Sequence, residues 1–339
     1  MILTAEQIRA VTNGAVEVAE EADGIHFHRF TEEQEIVYQN MKPDFYAKCF
    51  ATAGIRLEFK TNSTSLLVKT KVSSASSRKF FSLDVLVDGK VKGYLDNFSE
   101  EELPEYYSDV DVPLGSFSKC FPLGEGEKTV TIYLPWSVKA VMEELSVDDG
   151  AYVLPVKRKK KLLVYGDSIT HGYDALRPSH RYAAQIADAF GLEEINRGIG
   201  GEQFFPALAE EKDAFVPDYI MVAYGTNDWN STTREKVKEH ALGFFLALTK
   251  NYPDTPIFAL TPIWRMQYDE ERVFGPFTEV DGFMREILSD YKNITVIRGY
   301  DFIPKDESYF ADRIVHPNDL GFGYYFKNLY EELKKYIVS

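Results

Sequence analysis

The stretch Leu162-Leu163-Val164-Tyr165-Gly166-Asp167-Ser168-Ile169-Thr170 opens the second half of the chain and decides its fold. Its first four residues form a continuous apolar run, which is typical of a strand buried on both faces. Gly166 permits a tight turn that presents Ser168 at the edge of the sheet. A serine after a strand is more often a helix cap than a nucleophile, so this motif needs support from the rest of the chain.

Further apolar runs follow this stretch, and they alternate with helical patterns. The runs cover residues 218–224, 256–261 and 294–297. The helical patterns cover residues 182–190, 233–251, 279–291 and 319–336. Strands that alternate with helices in this way predict a parallel sheet covered by helices on both faces.

The first 155 residues have a different character, because apolar residues recur there at every second position of short runs. Examples are residues 55–59, 65–70, 81–87 and 129–134. Such alternation predicts half-buried strands, and Asp88-Gly89 is a hairpin signal because glycine accepts a positive φ. We therefore expect an all-β sandwich, of the jelly-roll kind, over residues 1–155. Residues 155–161 connect it to a second domain, residues 156–339.

The chain is acidic, with 38 Lys and Arg against 53 Asp and Glu and a formal net charge of −15. Such a surface repels nucleic acids and anionic membranes, so neither is an expected partner. The basic run at residues 157–161 is interpreted as a solvated linker. No stretch reaches the ~20 apolar residues of a membrane span, and no signal peptide is recognisable. With only Cys49 and Cys120, no disulfide scaffold is expected, and the composition predicts a cytoplasmic protein.

Three further segments carry polar residues at predicted strand ends, where the sites of open α/β sheets form. Residues 196–202 hold a glycine cluster that lets a backbone N–H approach a ligand closely. Asn227 has a side-chain N–H that suits a developing negative oxygen. His316 is a natural base for a serine, because its pKa lets it take and return a proton near neutral pH. Considered one at a time, each segment is better explained as an ordinary turn.

The combination of these segments resembles the SGNH hydrolase superfamily, also called the GDSL-type esterases. The blocks that carry the resemblance are, in chain order, Gly166-Asp167-Ser168, the glycine cluster at 196–202, Gly225-Thr226-Asn227-Asp228, and an Asp shortly before His316. The resemblance covers residues 161–339. It implies a flavodoxin-like three-layer α/β/α hydrolase domain.

The resemblance also implies a role for each matching residue. Ser168 would be the nucleophile and His316 its base. The oxyanion hole would consist of the backbone N–H groups of Ser168 and Gly201 and the side chain of Asn227, with Gly200 as the donor if the register shifts by one. No cofactor and no metal are implied.

One position departs from the family pattern, which places an Asp three residues before the His. That position is Arg313, a permanent cation that cannot orient an imidazolium, and Asp312 lies one residue further back. Either the loop bulges and Asp312 reaches His316, or a backbone carbonyl takes over in a Ser-His dyad. We favour Asp312 as the third catalytic residue.

A sandwich that precedes an SGNH domain is similar to the arrangement of carbohydrate esterase family 2, whose members remove acetyl groups from polysaccharides. Trp229 and Trp264 each follow a predicted strand end, where aromatic faces suit a sugar ring or an acyl group. His171 lies three residues after Ser168, so we expect it to border the same pocket. His26 and His28 share one face of a strand, but we interpret them as an exposed strand pair rather than a metal site.

The sequence therefore predicts a serine esterase that cleaves short acyl esters, with acetyl as the expected group, and that acts on a small-molecule or oligosaccharide ester. A lysophospholipase or thioesterase is the alternative enzyme. A carbohydrate-binding protein with a decayed site is the non-enzymatic alternative, motivated by the displaced Asp312. Assembly into a homo-oligomer stays open.

Overall fold

The N-terminal part of the chain consists mainly of antiparallel strands in a computed structural model that describes residues 1–337. Its strands are β1 (Thr12–Asn13), β2 (Glu17–Glu21), β3 (Gly24–His28), β4 (Arg56–Thr61), β5 (Ser65–Ser74), β6 (Ser82–Val87), β7 (Lys90–Asp96), β8 (Gly115–Pro122), β9 (Lys128–Tyr133), β10 (Val138–Val147) and β11 (Leu154–Pro155). Its helices are α1 (Ala5–Val11), α2 (Glu32–Met41) and α3 (Pro43–Cys49).

These strands form two sheets that enclose one core. The first sheet has the order β1-β4-β9-β6-β7, with β11 paired to β4, and the second has the order β2-β3-β10-β5-β8. Alternate residues of both sheets, such as Phe59, Val85 and Leu145, point into the same apolar cluster. Asp88 and Gly89 have positive φ of 49° and 75° between β6 and β7, as a tight hairpin turn requires. The predicted β-sandwich is confirmed.

The C-terminal part contains a five-stranded parallel sheet with the order β13-β12-β14-β15-β16. Its strands are β12 (Lys160–Gly166), β13 (Leu192–Gly198), β14 (Tyr219–Ala223), β15 (Ile257–Leu260) and β16 (Ile294–Ile297). Its helices are α4 (Ser168–His171), α5 (Tyr182–Ala189), α6 (Pro206–Glu210), α7 (Thr226–Ser231), α8 (Arg234–Asn251), α9 (Val280–Ile287) and α10 (Asp319–Leu333). Three short 3₁₀ turns lie at Pro178–His180, Phe277–Glu279 and Glu307–Tyr309.

The sheet is covered on both faces, as the alternation of strands and helices predicted. Leu163 of β12 belongs to an apolar cluster with Phe244 of α8. Its neighbour Leu162 belongs to a separate cluster with Phe322 of α10. Because successive side chains of a strand point to opposite faces, the two clusters are the two helix–sheet interfaces. The strand order is that of flavodoxin-like folds, so the predicted three-layer architecture is confirmed.

Helices α2 and α3 were not predicted, because the first part of the chain reads as alternating strands. They are short, and their apolar side chains face the other domain: Tyr38 and Phe45 pack in the cluster that contains Phe204. Arg29, which is fully buried, donates hydrogen bonds across the same junction to the carbonyls of Asn196 and Gly198, both at 3.1 Å. The first domain is thus fixed against the end of β13 and the loop that follows it. Among the helices of residues 1–337, none is long and apolar enough to cross a membrane.

Candidate active site

Ser168 lies at the carboxyl edge of the parallel sheet, at the start of the one-turn helix α4. The Asp167 carboxylate accepts a hydrogen bond from the N–H of Ile169 at 3.0 Å and so caps this helix. A Cβ at Gly166 would lie 2.1 Å from the Thr170 hydroxyl. Glycine is needed at position 166 because the Thr170 side chain leaves no room for a Cβ, and not for the tight turn that we had predicted.

The side chains of Ser168, His316 and Asp312 form a continuous hydrogen-bonded chain. The Ser168 hydroxyl lies 2.8 Å from Nε2 of His316. Nδ1 of the same ring lies 2.7 Å from a carboxylate oxygen of Asp312. With the proton on Nδ1, Nε2 is free to accept the proton of the serine hydroxyl. The structure thus brings together the three residues that the sequence predicted as nucleophile, base and acid, and their roles stay a prediction.

The extra residue between Asp312 and His316 is accommodated by a bulge in the loop. Arg313 has a φ of 61°, in the left-handed region that few non-glycine residues adopt. The Oδ1 atom of Asp312 accepts hydrogen bonds from the backbone N–H groups of Ile314, Val315 and His316 at 2.8, 2.9 and 3.0 Å. These bonds leave Oδ2 facing the imidazole. The departure from the family spacing is therefore compensated by backbone conformation.

A second carboxylate, which the sequence argument missed, lies beside the same imidazole. An oxygen of Asp174 is 3.6 Å from Nδ1 of His316, and Asp174 is fully buried with a φ of 70°. Arg78 donates two hydrogen bonds to it, at 2.6 and 3.1 Å, and the Ser108 hydroxyl donates a third at 2.6 Å. Both partners belong to the first domain. No signal in the sequence links residue 78 to residue 174, because the contact exists only after the two domains pack.

The predicted oxyanion donors Asn227 and Gly201 line the same cleft as Ser168. Asn227 is the second residue of α7, and its side-chain amide donates a hydrogen bond to the carbonyl of Glu202 at 2.9 Å. Gly201 has a φ of 85°. At Gly200 a Cβ would lie 2.5 Å from the ring of Tyr173, so no side chain fits there. The structure places both glycines on the cleft wall, and their role as donors stays a prediction.

The three residues that we expected to contact the substrate lie elsewhere. Trp229 is fully buried and donates its indole N–H to the carbonyl of Gly275 at 2.8 Å. Trp264 packs against Phe310 in the core. His171 is fully buried, with Nε2 2.9 Å from the carbonyl oxygen of Trp136. These three residues are corrected to core positions, since a position shortly after a strand end does not determine whether a side chain faces solvent or the interior.

The histidines of β3 also differ from the expectation. His26 is buried, although it had been expected to be exposed, and its Nε2 lies 2.8 Å from Asp23 and 3.6 Å from Glu21. His28 bonds instead to Glu35 at 2.9 Å. The two rings therefore have different acidic partners, which the β2–β3 turn and α2 supply.

The cleft in front of Ser168 has a volume of about 260 Å³. It is lined by Lys48, Ser77, Arg78, Ser168, Tyr173, Gly200, Gly201, Thr226, Asn227, Asn230, Arg265, Val315 and His316. The first three come from the sandwich domain. The N-terminal domain is thus part of the site, and the sequence argument had left its role open.

Three buried carboxyl groups near this cleft, Asp167, Glu202 and Asp228, form no ion pair within residues 1–337. Burial raises the pKa of Asp167 to about 6, that of Asp228 to about 7 and that of Glu202 to about 8. Glu202 accepts hydrogen bonds from the hydroxyls of Tyr38 and Tyr224. At neutral pH Glu202 is therefore mostly protonated, whereas Asp167 still carries most of its negative charge.

The pKa of the His316 imidazole is raised above its ordinary value of 6.5. Burial lowers this pKa, but the hydrogen bond to Asp312 and the negative charges of Asp174 and Asp312 outweigh burial and the positive charge of Arg78. We expect NMR titration of the imidazole to give a pKa above 6.5 and Asp174→Asn to lower it, since one negative charge is removed. Asp109→Asn is the matched control, because Asp109 is exposed and 3.9 Å from Arg78. An unchanged pKa in Asp174→Asn would contradict this coupling.

Solved structures share this two-domain fold along nearly the whole chain. A salicylyl-acyltransferase from a tetracycline biosynthetic pathway is 19% identical, with a TM-score of 0.77 and coverage of 96% of this chain and 94% of the other. A protein from Bacteroides ovatus described as a GDSL-like lipase is 22% identical, with a TM-score of 0.78 and coverage of 99% and 97%. A family two carbohydrate esterase from Clostridium thermocellum is 17% identical, with a TM-score of 0.63 and coverage of 84% and 93%.

These identities are low, so the three structures establish the fold alone. No curated protein sequence matches the chain. Residues 164–323, which include Ser168, Asn227 and His316, match the model of the GDSL-like Lipase/Acylhydrolase family. The match lies within the C-terminal domain, so it is this domain that is similar to the GDSL-like lipase/acylhydrolases.

Proposed function

We propose that the protein is a serine esterase that removes short acyl groups, acetyl foremost, from carbohydrate hydroxyls. The observation that carries this proposal is the hydrogen-bonded chain from Ser168 through His316 to Asp312 at an open cleft. A serine hydroxyl becomes a useful nucleophile when an adjacent base can take its proton, and that base works best when a third group orients it.

The reaction would proceed in two steps. Ser168 Oγ attacks the ester carbonyl while its proton passes to Nε2 of His316. The negative oxygen is stabilised by the N–H groups of Ser168 and Gly201 and by the Asn227 amide. His316 then protonates the leaving alcohol, and an acyl-enzyme remains. A water molecule that gives its proton to His316 attacks this ester, and Ser168 is regenerated.

The size of the cleft and the domain arrangement support the choice of a short acyl group on a sugar. The volume of about 260 Å³ lies below the roughly 300–1,000 Å³ of pockets for drug-sized ligands. The Clostridium thermocellum esterase, which shares the fold, is described in complex with cellohexaose. The displaced Asp that motivated a decayed, non-catalytic site lies 2.7 Å from the base.

We expect higher kcat/KM for p-nitrophenyl acetate than for p-nitrophenyl octanoate, together with release of acetate from acetylated xylo-oligosaccharides. The physical reason is that the cleft is lined mostly by polar side chains, which offer little apolar surface to an eight-carbon chain. Initial rates and acetate assays measure both. A preference for octanoate would favour the lysophospholipase or thioesterase alternative. Absence of fluorophosphonate labelling would favour the non-catalytic one, since only an activated serine reacts.

A further inference from the structure

The cleft in front of Ser168 is lined by three cationic side chains, Lys48, Arg78 and Arg265, and by no carboxylate among residues 1–337. This is unexpected in a chain with a net charge of −15. A concave region lined by one sign of charge concentrates ligands of the opposite sign. Whether the cleft attracts an anion therefore depends on whether each of these cations is already paired with a carboxylate.

Two of the three cations have carboxylate partners. Lys48 lies 2.6 Å from Asp44 and also donates to the carbonyl of Gly200 at 2.8 Å. Arg78 is bound through two hydrogen bonds by the buried Asp174. Each of these positive charges is offset by one nearby negative charge.

Arg265 has no such partner. It is 6% exposed, and no carboxylate oxygen of residues 1–337 lies within ion-pair distance of its guanidinium. Its Nη1 donates to the Thr226 hydroxyl at 3.1 Å, and its Nη2 donates to the side-chain oxygen of Gln267. Both acceptors are neutral. Its Nε is buried and has no hydrogen-bond partner among the described residues.

An unsatisfied buried donor on a charged group is unfavourable unless a ligand completes it. The guanidinium lies 5.1 Å from the ring centre of Trp229, which supports the cation from the core side. The negative charges of Asp312, Asp167 and Glu270 act on the guanidinium only from beyond ion-pair distance, so they offset its charge less than a direct partner would. Arg265 thus lines the cleft with a charge that has no ion-pair partner among residues 1–337 and with an unpaired Nε donor.

We propose that the cleft selects esters that also carry a carboxylate, and that Arg265 binds this carboxylate. The guanidinium presents its N–H groups in a planar fork that matches the two oxygens of a carboxylate. The inference rests on the proposed esterase function and specifies its substrate class. The carboxylate belongs either to the acyl part, as in a dicarboxylic half-ester, or to the alcohol part, as in an acetylated uronic acid.

Two pairs of esters distinguish these sources. The acyl pair is p-nitrophenyl hydrogen succinate and its methyl ester, and the alcohol pair is an acetylated methyl glucuronoside and the matching methyl glucoside. We expect the anionic member of one pair to have about tenfold higher kcat/KM, since a charge-assisted hydrogen bond is gained. This ratio should decrease as salt is raised.

Variants of Arg265 test whether this residue causes the higher kcat/KM for the anionic ester of a pair. Arg265→Met should abolish the anionic preference, and Arg265→Lys should retain part of it. Arg272→Met is the matched control, because Arg272 lies 5.5 Å from the same Trp229 ring, is paired with Glu270 and does not line the cleft. This control should keep the ratio of the parent.

The outcomes separate the two proposals. Equal kcat/KM for both members of both pairs in the parent protein would overturn the selectivity and leave the esterase proposal intact. A ratio that survives Arg265→Met would overturn the assignment to Arg265. If that variant does not fold, the parent ratio, its salt dependence and competitive inhibition by free succinate still decide. Failure to hydrolyse any of the four esters would overturn the esterase function itself.

Discussion

Ser168→Ala is expected to lower kcat for p-nitrophenyl acetate by at least about 10⁴-fold, because no other group can form the acyl-enzyme. The hydroxyl is the only atom of this side chain that reaches Nε2 of His316, at 2.8 Å. Residual hydrolysis would reflect the oxyanion donors and binding alone. Initial rates and fluorophosphonate labelling of the purified variant measure the effect.

The matched control for this variant is Ser231→Ala. Ser231 lies on α7 and donates to the carbonyl of Asn227 at 3.1 Å instead of to His316. It should retain kcat within a few-fold and label as the parent does. The thermal unfolding midpoint of both variants should stay near that of the parent, since each loses only one hydroxyl. Labelling of Ser168→Ala at the parental rate would show that another residue is the nucleophile.

Asp312→Asn should lower kcat/KM on the order of 10²–10³-fold, somewhat less than the ~10⁴-fold loss in a strict triad. Three backbone N–H groups bind Oδ1 of Asp312, so the carbonyl of an asparagine would take that place. Its NH₂ group would then face Nδ1 of His316 and donate to it. The ring proton would move to Nε2, which could no longer accept the proton of Ser168.

The loss of kcat/KM in Asp312→Asn should be smaller than in a strict triad, because a second carboxylate, Asp174, lies 3.6 Å from Nδ1 of His316. This carboxylate favours the tautomer that carries its proton on Nδ1 and leaves Nε2 free. Asp174→Asn alone should therefore cost less than Asp312→Asn, and the double variant should cost more than either. Steady-state rates with p-nitrophenyl acetate measure this series. Near-parental activity of Asp312→Asn would instead favour the Ser-His dyad.

The positions of the reacting groups were predictable because they follow from the strand pattern. Apolar runs at residues 162–165 and 218–224 predict two strands of one parallel sheet, and parallel strands end at the same edge of the sheet. Ser168 and Asn227 each come directly after one of these strands. Their convergence therefore needs no knowledge of side-chain packing.

The third catalytic residue was only partly predictable. The spacing between Asp312 and His316 leaves two arrangements open, since a loop can bulge or stay regular. The positive φ of Arg313 and the three N–H bonds to Asp312 decide between them, and neither can be read from residue type. The same limit applies to Trp229, which follows a strand end as predicted but lies on α7 with its side chain in the core.

The sequence by itself determined the sandwich, the parallel sheet, the resemblance of residues 161–339 to the SGNH hydrolases, and the positions of Ser168 and Asn227 directly after strands. These features depend on local periodicity and on motifs within a few residues. Only the tertiary structure brought Arg78 and Lys48 of the first domain to the cleft and left Arg265 without a carboxylate partner. The physical reason is that charge balance in a cleft depends on distances between residues far apart in the chain. Those distances exist only after the two domains have packed together.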